Sequence, residues 1–300
     1  MLLFPVRMKM ASLSTGEVIY FVINQEFTFW EIWSVMCCRF IIYKLPKYKI
    51  GEVGSGVDYM YLDPSIGTWQ FSKFMVNTSQ GAIGNTLNQL YDKAIYKPSN
   101  SVYVLYNDSP PLLKYIKGYG HTKAQHLVYL FPRFYNCSVP SPFATKLPQL
   151  AQLCAGERPE APLDKGRDQL FSLKGEMLFT FAKSERFVDD IYTGWVAQVL
   201  NVDLMAETWQ RQGHELPSNC SLPNHVMNIK RIHLPESDAF NSKYDHAKWC
   251  TSWEFQNKVT CLGDLNREVS QMWRGGGLLC SHNPLIYKAF RQSVDWYIGC

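Results

Sequence analysis

Two short motifs with the same residue types lie far apart in this chain. One is His121-x-Lys123 and the other is His246-x-Lys248. Two histidines can share the hydrolysis of a phosphodiester, one attacking phosphorus while the other protonates the leaving oxygen. Two ammonium groups can stabilise the charge that develops on the phosphoryl oxygens. The repeated motif therefore predicts a metal-free phosphodiesterase built from two similar halves, in which these four residues are catalytic.

The motif also has an ordinary structural interpretation. Residues i and i+2 of a strand lie on one face, so each motif predicts a histidine beside a lysine, but any surface strand with a polar face has the same pattern. The second motif is followed by Asn266, whose side-chain amide can donate to a phosphate oxygen. We predict a phosphate-binding role for Asn266, with an ordinary Asx turn as the alternative.

Composition limits the classes of protein that fit. The chain has 300 residues, of which 46% are hydrophobic, so it can bury a sizeable core. Its formal net charge is +4, and protonation of its seven histidines takes it to +11, so attraction to a polyanion strengthens as the pH falls. No zinc-finger spacing, P-loop, GxGxxG or GxSxG motif occurs, and we predict neither a metal nor a cofactor.

Cysteines and glycosylation sequons both indicate a secretory, oxidising route. The chain has nine cysteines, an odd number that leaves at least one thiol unpaired. Acceptor sequons begin at Asn77, Asn107, Asn136 and Asn219. Residues 17–42 are apolar, but acidic residues interrupt them and no cleavage site follows, so neither a signal peptide nor a membrane span is predicted. Two alternatives stay open: an unusual anchor is present, or the expected leader has been replaced.

Hydrophobic periodicity predicts a mixture of strands and helices. Alternation and short apolar runs predict strands at 57–63, 102–106, 127–131 and 226–232. Helical spacing predicts helices over 82–96, from an N-cap at Ser184, and from Pro284 to the region of Val294. Residues 140–165 are rich in Pro, Ala, Gln and charge and predict the connection between the two halves.

Longer stretches around these motifs resemble a known family. They are Val57-Asp-Tyr-Met-Tyr-Leu-Asp63, Leu105-Tyr-Asn-Asp108, Gly120-His-Thr-Lys123, Leu216-Pro-Ser-Asn-Cys220, Asp245-His-Ala-Lys-Trp-Cys250 and Gly263-Asp-Leu-Asn-Arg267. In this order they resemble the deoxyribonuclease II family, and within it the beta form, over most of residues 41–300.

The resemblance implies an acid endonuclease of the lysosome that binds the DNA backbone without sequence preference, uses no divalent metal and leaves 3′-phosphate ends. It implies an α/β (mixed α+β) fold of the phospholipase D-like superfamily, a pseudo-dimer of two α-β-α halves. It also implies three disulfides: Cys137–Cys154, Cys220–Cys300 and Cys261–Cys280. Cys37 or Cys38 would pair with a cysteine that this chain lacks.

The chain departs from the family pattern in two places. Residues 1–40 form an atypical N-terminal segment, and after Lys123 the sequence continues as a much later part of the family does. We therefore expect a truncated first half at 41–135 and a second half at 136–300. Two alternatives to an active nuclease stay open: an inactive isoform with an incomplete first half-site, and a secreted glycoprotein that only binds anions.

Overall fold

The computed structural model shows a mixed α/β protein. It describes residues 19–24, 40–48, 54–63, 66–91, 101–106, 129, 134–157, 163–171, 176–210 and 213–300. His121, Lys123 and most of the predicted strand at 127–131 lie outside these residues; Tyr129, the one described residue of that strand, has helical backbone.

Among its described residues, the N-terminal part has six strands and three helices whose bounds are defined. The strands are β1 (Ile19–Asn24), β2 (Ile41–Lys44), β3 (Tyr59–Leu62), β4 (Gln70–Phe71), β5 (Ser101–Tyr106) and β6 (Phe134–Ser138). The helices are α1 (Gly81–Tyr91), α2 (Ser141–Ala144) and α3 (Pro148–Cys154). The strands form two antiparallel three-stranded sheets, in the orders β1-β5-β6 and β2-β3-β4.

The C-terminal part is one nine-stranded sheet with short helices. Its strands are β7 (Lys165–Phe171), β8 (Met177–Lys183), β9 (Leu204–Glu207), β10 (Val226–Ile232), β11 (Phe240–Asn241), β12 (Trp249–Ser252), β13 (Thr260–Gly263), β14 (Gly276–Ser281) and β15 (Val294–Ile298). The order is β11-β10-β9-β12-β13-β14-β8-β7, with β15 paired to β10. Neighbours are antiparallel except β9 and β10, which are parallel.

Four short helical segments accompany this sheet. They are a π-helical turn (Tyr192–Val196), α4 (Ala197–Leu200), a 3-10 turn (Val269–Trp273) and α5 (Pro284–Ser293). Asn283 caps α5, since its side chain accepts hydrogen bonds from the backbone N–H groups of Leu285 and Ile286. The start predicted at Pro284 is therefore confirmed.

The sheet separates two apolar cores. Alternate residues of β9 enter different cores, because successive side chains of a strand point to opposite faces. Leu204 and Ala206 join the π-turn core, which includes Tyr192 and Trp195. Met205 joins the α5 core, which includes Phe290 of α5. Strands β2 and β3 contribute Tyr43, Met60 and Leu62 to the α5 core, and Leu45 directly after β2 joins them, so the N-terminal part packs on this face.

Three disulfides have the pairing that the resemblance implies: Cys137–Cys154, Cys220–Cys300 and Cys261–Cys280. The second spans 80 residues and ties the C-terminus to the loop before β10. On loop-closure entropy such a bridge stabilises the fold by on the order of 4 kcal/mol. Cys250 is a buried free thiol, and burial raises its pKa. Cys37 and Cys38 lie outside the described residues.

Several predicted elements are confirmed and others are wrong. The strands predicted at 57–63, 102–106 and 226–232 correspond to β3, β5 and β10, and the helix predicted over 82–96 corresponds to α1 as far as Tyr91. The predicted connection at 140–165 contains α2 and α3. The last helix ends at Ser293, one residue before Val294, which begins strand β15.

The helix predicted from Ser184 begins eight residues later, at Tyr192. The Ser184 hydroxyl instead donates to the carbonyl of Asp164 and accepts from the N–H of Arg186, which favours a turn. Asp190 accepts from the N–H groups of Tyr192 and Thr193 and takes the capping role. Within the described residues no helix is both long and apolar enough to cross a membrane.

Candidate functional site

The second His-x-Lys motif lies in the segment between β11 and β12. Residues 245–248 have no regular secondary structure and lead directly into β12 at Trp249. The strand geometry predicted for this motif is therefore wrong. The Nζ atom of Lys248 donates to the backbone carbonyl of His246 at 2.8 Å, and Lys248 is 6% exposed. The lysine is thus a nearly buried cation that is hydrogen-bonded to the backbone of the histidine.

The His246 ring stacks on an indole ring. The centroids of His246 and Trp209 are 3.9 Å apart, and the ring planes differ by 27°. Trp209 follows β9 and is itself held at two points. Its backbone N–H donates to Oδ1 of Asn266 at 3.2 Å, and its Nε1 donates to the carbonyl of Lys243 at 3.0 Å. Trp209 therefore contacts both sequence-predicted residues, His246 and Asn266.

Asn266 follows strand β13 and is 6% exposed. Its bond to Trp209 spans 57 positions of sequence, so its side chain makes a tertiary contact instead of the alternative Asx turn. Because a backbone N–H can only donate, the atom that it meets must be the amide oxygen. The NH2 end of the amide is the end left to donate to an anion.

Two buried carboxylates lie beside the motif. Asp245 accepts hydrogen bonds from the Tyr43 hydroxyl and, at 3.0 Å, from the Ala247 N–H. Glu207, at the end of β9, accepts from the Ser242 hydroxyl at 2.6 Å through Oε2, while its Oε1 has no hydrogen-bond partner. Both carboxylates have no exposed surface.

Burial sets the proton affinity of these carboxyl groups. Desolvation raises the pKa of Glu207 well above its ordinary value, and the negative charge of Asp245 raises it further. Desolvation also raises the pKa of Asp245, against the hydrogen bond from Tyr43 and the positive charge of Lys248. This Glu207–Asp245 pair therefore holds protons more strongly than exposed carboxyls do.

Tyr43 connects the N-terminal part to the motif. Its hydroxyl donates to Asp245 and accepts from Nε1 of Trp249 at 3.3 Å, and the residue is 2% exposed. Burial and the nearby Asp245 raise the pKa of the Tyr43 hydroxyl, so it stays a donor. Strand β2 thus buttresses the motif across about two hundred positions of sequence.

The side chain of Arg267, the residue after Asn266, bonds to buried groups of several elements of the fold. It is 2% exposed, and its Nε donates to Asp190 at 3.0 Å. Its terminal nitrogens donate to the Asn228 side chain, the Thr193 hydroxyl and the Pro217 carbonyl. A guanidinium so bonded holds together β10, the π-helical turn and the loop at Pro217.

Sequence reasoning identified His246, Lys248 and Asn266 but missed Trp209 and Glu207. Glu207 had a usable signal, since it directly follows the apolar run at 204–206, where a charged side chain shares the burial of its strand. Trp209 had none, because its partners lie 37 and 57 positions away along the chain. Among the described residues, no group of His, Cys, Asp and Glu could hold a metal ion.

The chain is similar to known proteins over most of its length. The sequence model of the family described as Deoxyribonuclease II matches residues 39–127 and 124–300 of this chain. These two stretches contain both His-x-Lys motifs and meet at residues 124–127.

Several characterised relatives are similar over most of their length. Deoxyribonuclease-2-beta of Homo sapiens is 36% identical over 318 residues, which cover 87% of this chain and 88% of the relative. Deoxyribonuclease-2-alpha of Sus scrofa is 30% identical, covering 87% of each chain, and Plancitoxin-1 of Acanthaster planci is 28% identical, covering 87% and 89%. The first alignment is longer than the 300 residues of this chain, so the relative has residues without a counterpart here.

Proposed function

Because the chain belongs to the deoxyribonuclease II family, we propose that it is an acid, metal-independent endonuclease that hydrolyses DNA to 3′-phosphate ends. The observation that carries the proposal is the contact of Trp209 with both His246 and Asn266. The contact supports the proposal because the His246 ring and the Asn266 side chain both meet Trp209, and the Lys248 cation bonds to the His246 carbonyl.

The proposed reaction has two steps and uses both motifs. One of His121 and His246 attacks phosphorus; an N–P bond forms, the bond from phosphorus to the 5′-oxygen breaks, and the other histidine protonates that oxygen. Water then attacks the phosphohistidine: a P–O bond forms, the N–P bond breaks, the other histidine accepts the proton from water, and a 3′-phosphate end is released. Lys123, Lys248 and Asn266 stabilise the phosphoryl oxygens. Neither histidine is assigned as the nucleophile.

The wider setting of this activity is also a proposal. The chain is divided at residue 135 into a truncated first half and a second half, and it acts in the lysosome after passing through the secretory route. DNA is bound through its phosphates, without sequence preference and without a metal ion. Binding strengthens in acid, because protonated histidines add to the positive net charge of the chain.

Nicking of supercoiled plasmid in EDTA at pH 5 and pH 7 tests the proposal. We expect nicking at pH 5, a large loss at pH 7, and no activity for His246→Ala. Asn266→Asp keeps the oxygen that accepts from Trp209 but replaces the amide donor with an anion, so we expect kcat to fall by roughly 100- to 1000-fold. Asn85→Asp makes the same charge change on an exposed position of α1 and is the control.

No nicking at pH 5, or nicking that His246→Ala leaves unchanged, would refute the nuclease. One observation favours the alternative of an inactive isoform: the alignment gap, together with the two family matches that meet just after the first motif. That alternative predicts misfolding or retention in place of secretion, and a well-folded, transported and glycosylated product would count against it. A third possibility, a secreted glycoprotein that only binds anions, predicts DNA binding without cleavage at any pH.

A further inference from the structure

Trp209 lies against His246, and no role in the reaction has been assigned to it. We propose that Trp209 is a positioning residue for the His246 imidazole: its indole face holds the ring in one orientation and favours the ring's protonated form. The catalytic part of this proposal rests on the nuclease activity proposed above. The stacking itself can be tested without that activity.

The stacking contact fixes the ring through its face. At a centroid distance of 3.9 Å and an angle of 27°, the two rings lie in van der Waals contact and close to parallel. Both the lone pair and the N–H group of an imidazole lie in the ring plane. The indole therefore restricts rotation of the ring while using neither of the nitrogens that must attack phosphorus or transfer a proton.

Trp209 is suited to this role because its own position is fixed. Its backbone bonds to Asn266 and its indole N–H bonds to the carbonyl of Lys243, on the segment that carries His246. Trp209 is thus anchored both to Asn266, which follows strand β13, and to the segment that carries His246. If Trp209 were displaced, His246 would move relative to Asn266. Small misplacements of reacting groups lower the reaction rate.

The indole also acts electrostatically. The face of an indole carries partial negative charge and attracts a cation placed over it. The other charged or titratable groups around this segment are Asp245 and Lys248 beside His246, Lys243 and Tyr244 before them, Glu207 on β9, Lys230 on β10, and Tyr43 and Lys44 on β2. Trp209→Phe and Trp209→Leu both lose the indole N–H bond to Lys243, so a difference between their His246 titrations reports the aromatic face.

The first test is a histidine NMR titration of the full chain, comparing wild type, Trp209→Phe and Trp209→Leu. We expect the titration midpoint of His246, assigned from the loss of its signal in His246→Ala, to fall in Trp209→Leu and to be largely retained in Trp209→Phe, which keeps an aromatic face. Trp296→Leu removes a half-exposed tryptophan from β15 and should leave the midpoint unchanged. An unchanged midpoint in Trp209→Leu would overturn the electrostatic part of the proposal.

The second test measures plasmid nicking by the same variants across pH 4 to 7. We expect kcat of Trp209→Leu to fall by roughly 3- to 30-fold with little change in KM, and the pH–rate profile to move to lower pH; Trp209→Phe should recover most of the rate. A loss of the same size in both variants would show that aromatic stacking is not the cause. An inactive wild type would refute the nuclease, and the NMR titration would still decide the role of Trp209.

Discussion

Two buried clusters of charge lie on opposite faces of the nine-stranded sheet, and they are neutralised to different degrees. The Arg267 cluster lies on the π-turn face, where the guanidinium bonds to Asp190, Asn228 and Thr193. The Glu207–Asp245 pair lies on the α5 face beside His246, and there one carboxylate oxygen has no hydrogen bond. The first cluster joins opposite charges and the second crowds like charges.

This difference separates structural charge from charge that can respond to pH. A buried guanidinium bonded to a carboxylate and to neutral acceptors is costly to disturb, because removing one partner leaves an uncompensated buried charge. Two carboxyl groups buried together hold protons more strongly than exposed ones, so their charge changes at a higher pH. The cluster beside the His-x-Lys motif is the responsive one.

The largest effect should come from breaking the neutralised cluster. Arg267→Met leaves Asp190 buried without its cation, and we expect a loss of about 3 to 5 kcal/mol in the free energy of unfolding. Urea denaturation at pH 5 measures it. Arg231→Met removes an arginine whose side chain is 50% exposed and paired with Asp295, and it should cost less than about 1 kcal/mol. Equal losses would contradict the assignment of Arg267.

A smaller effect should come from removing one donor from the responsive cluster. Tyr43→Phe takes the hydroxyl from Asp245 and Trp249, and we expect a loss of about 1 to 3 kcal/mol. The hydrogen bond from Tyr43 lowers the pKa of Asp245, so its loss should cost more at pH 7 than at pH 5.

Thermal or urea unfolding at both pH values measures the effect of Tyr43→Phe. Tyr297→Phe removes a hydroxyl that accepts from the exposed Trp253, and it provides a control with a small and pH-independent effect. A loss in Tyr43→Phe that is larger at pH 5 would show that the hydroxyl does not favour the charged form of Asp245.

The smallest effect concerns the pH dependence of stability. The pKa of Glu207 is raised in the folded state, so its proton stabilises the fold fully below the ordinary glutamate pKa, and that stability is lost as the pH rises towards the folded-state pKa. We expect wild type to be less stable at pH 7 than at pH 5, with a slope of at most about 1.4 kcal/mol per pH unit from this group.

Glu207→Gln tests this expectation, because its side chain is neutral at every pH and its amide oxygen can still accept from Ser242. The free energy of unfolding of this variant should vary less between pH 5 and pH 7 than that of wild type. Glu254→Gln, at an exposed position, should keep the wild-type dependence. An unchanged slope in Glu207→Gln would show that Glu207 is ionised throughout this range.

The local pattern of apolar and polar residues predicted some strands and helices correctly and failed for others. Strand β10 was predicted with its observed bounds, because the apolar residues Val226, Met227, Ile229 and Ile232 are spread along it and β-branched residues favour strands. The helix after Ser184 was misplaced, because a serine and an aspartate six positions apart can both cap, and only the contact with Asp164 shows which does. Strand β15 was missed, because it follows α5 without a turn and depends on pairing with β10.

The amino-acid sequence by itself determined the family and the three disulfide pairs, since these depend on residue types in a fixed order, and it supplied the His-x-Lys hypothesis. Only the tertiary structure decided which charges serve the fold and which belong to the site. Arg267 and Asn266 are adjacent in sequence, yet one bonds to Asp190 and the other to Trp209. Burial and long-range hydrogen bonds set these roles, and neither is a property of a short motif.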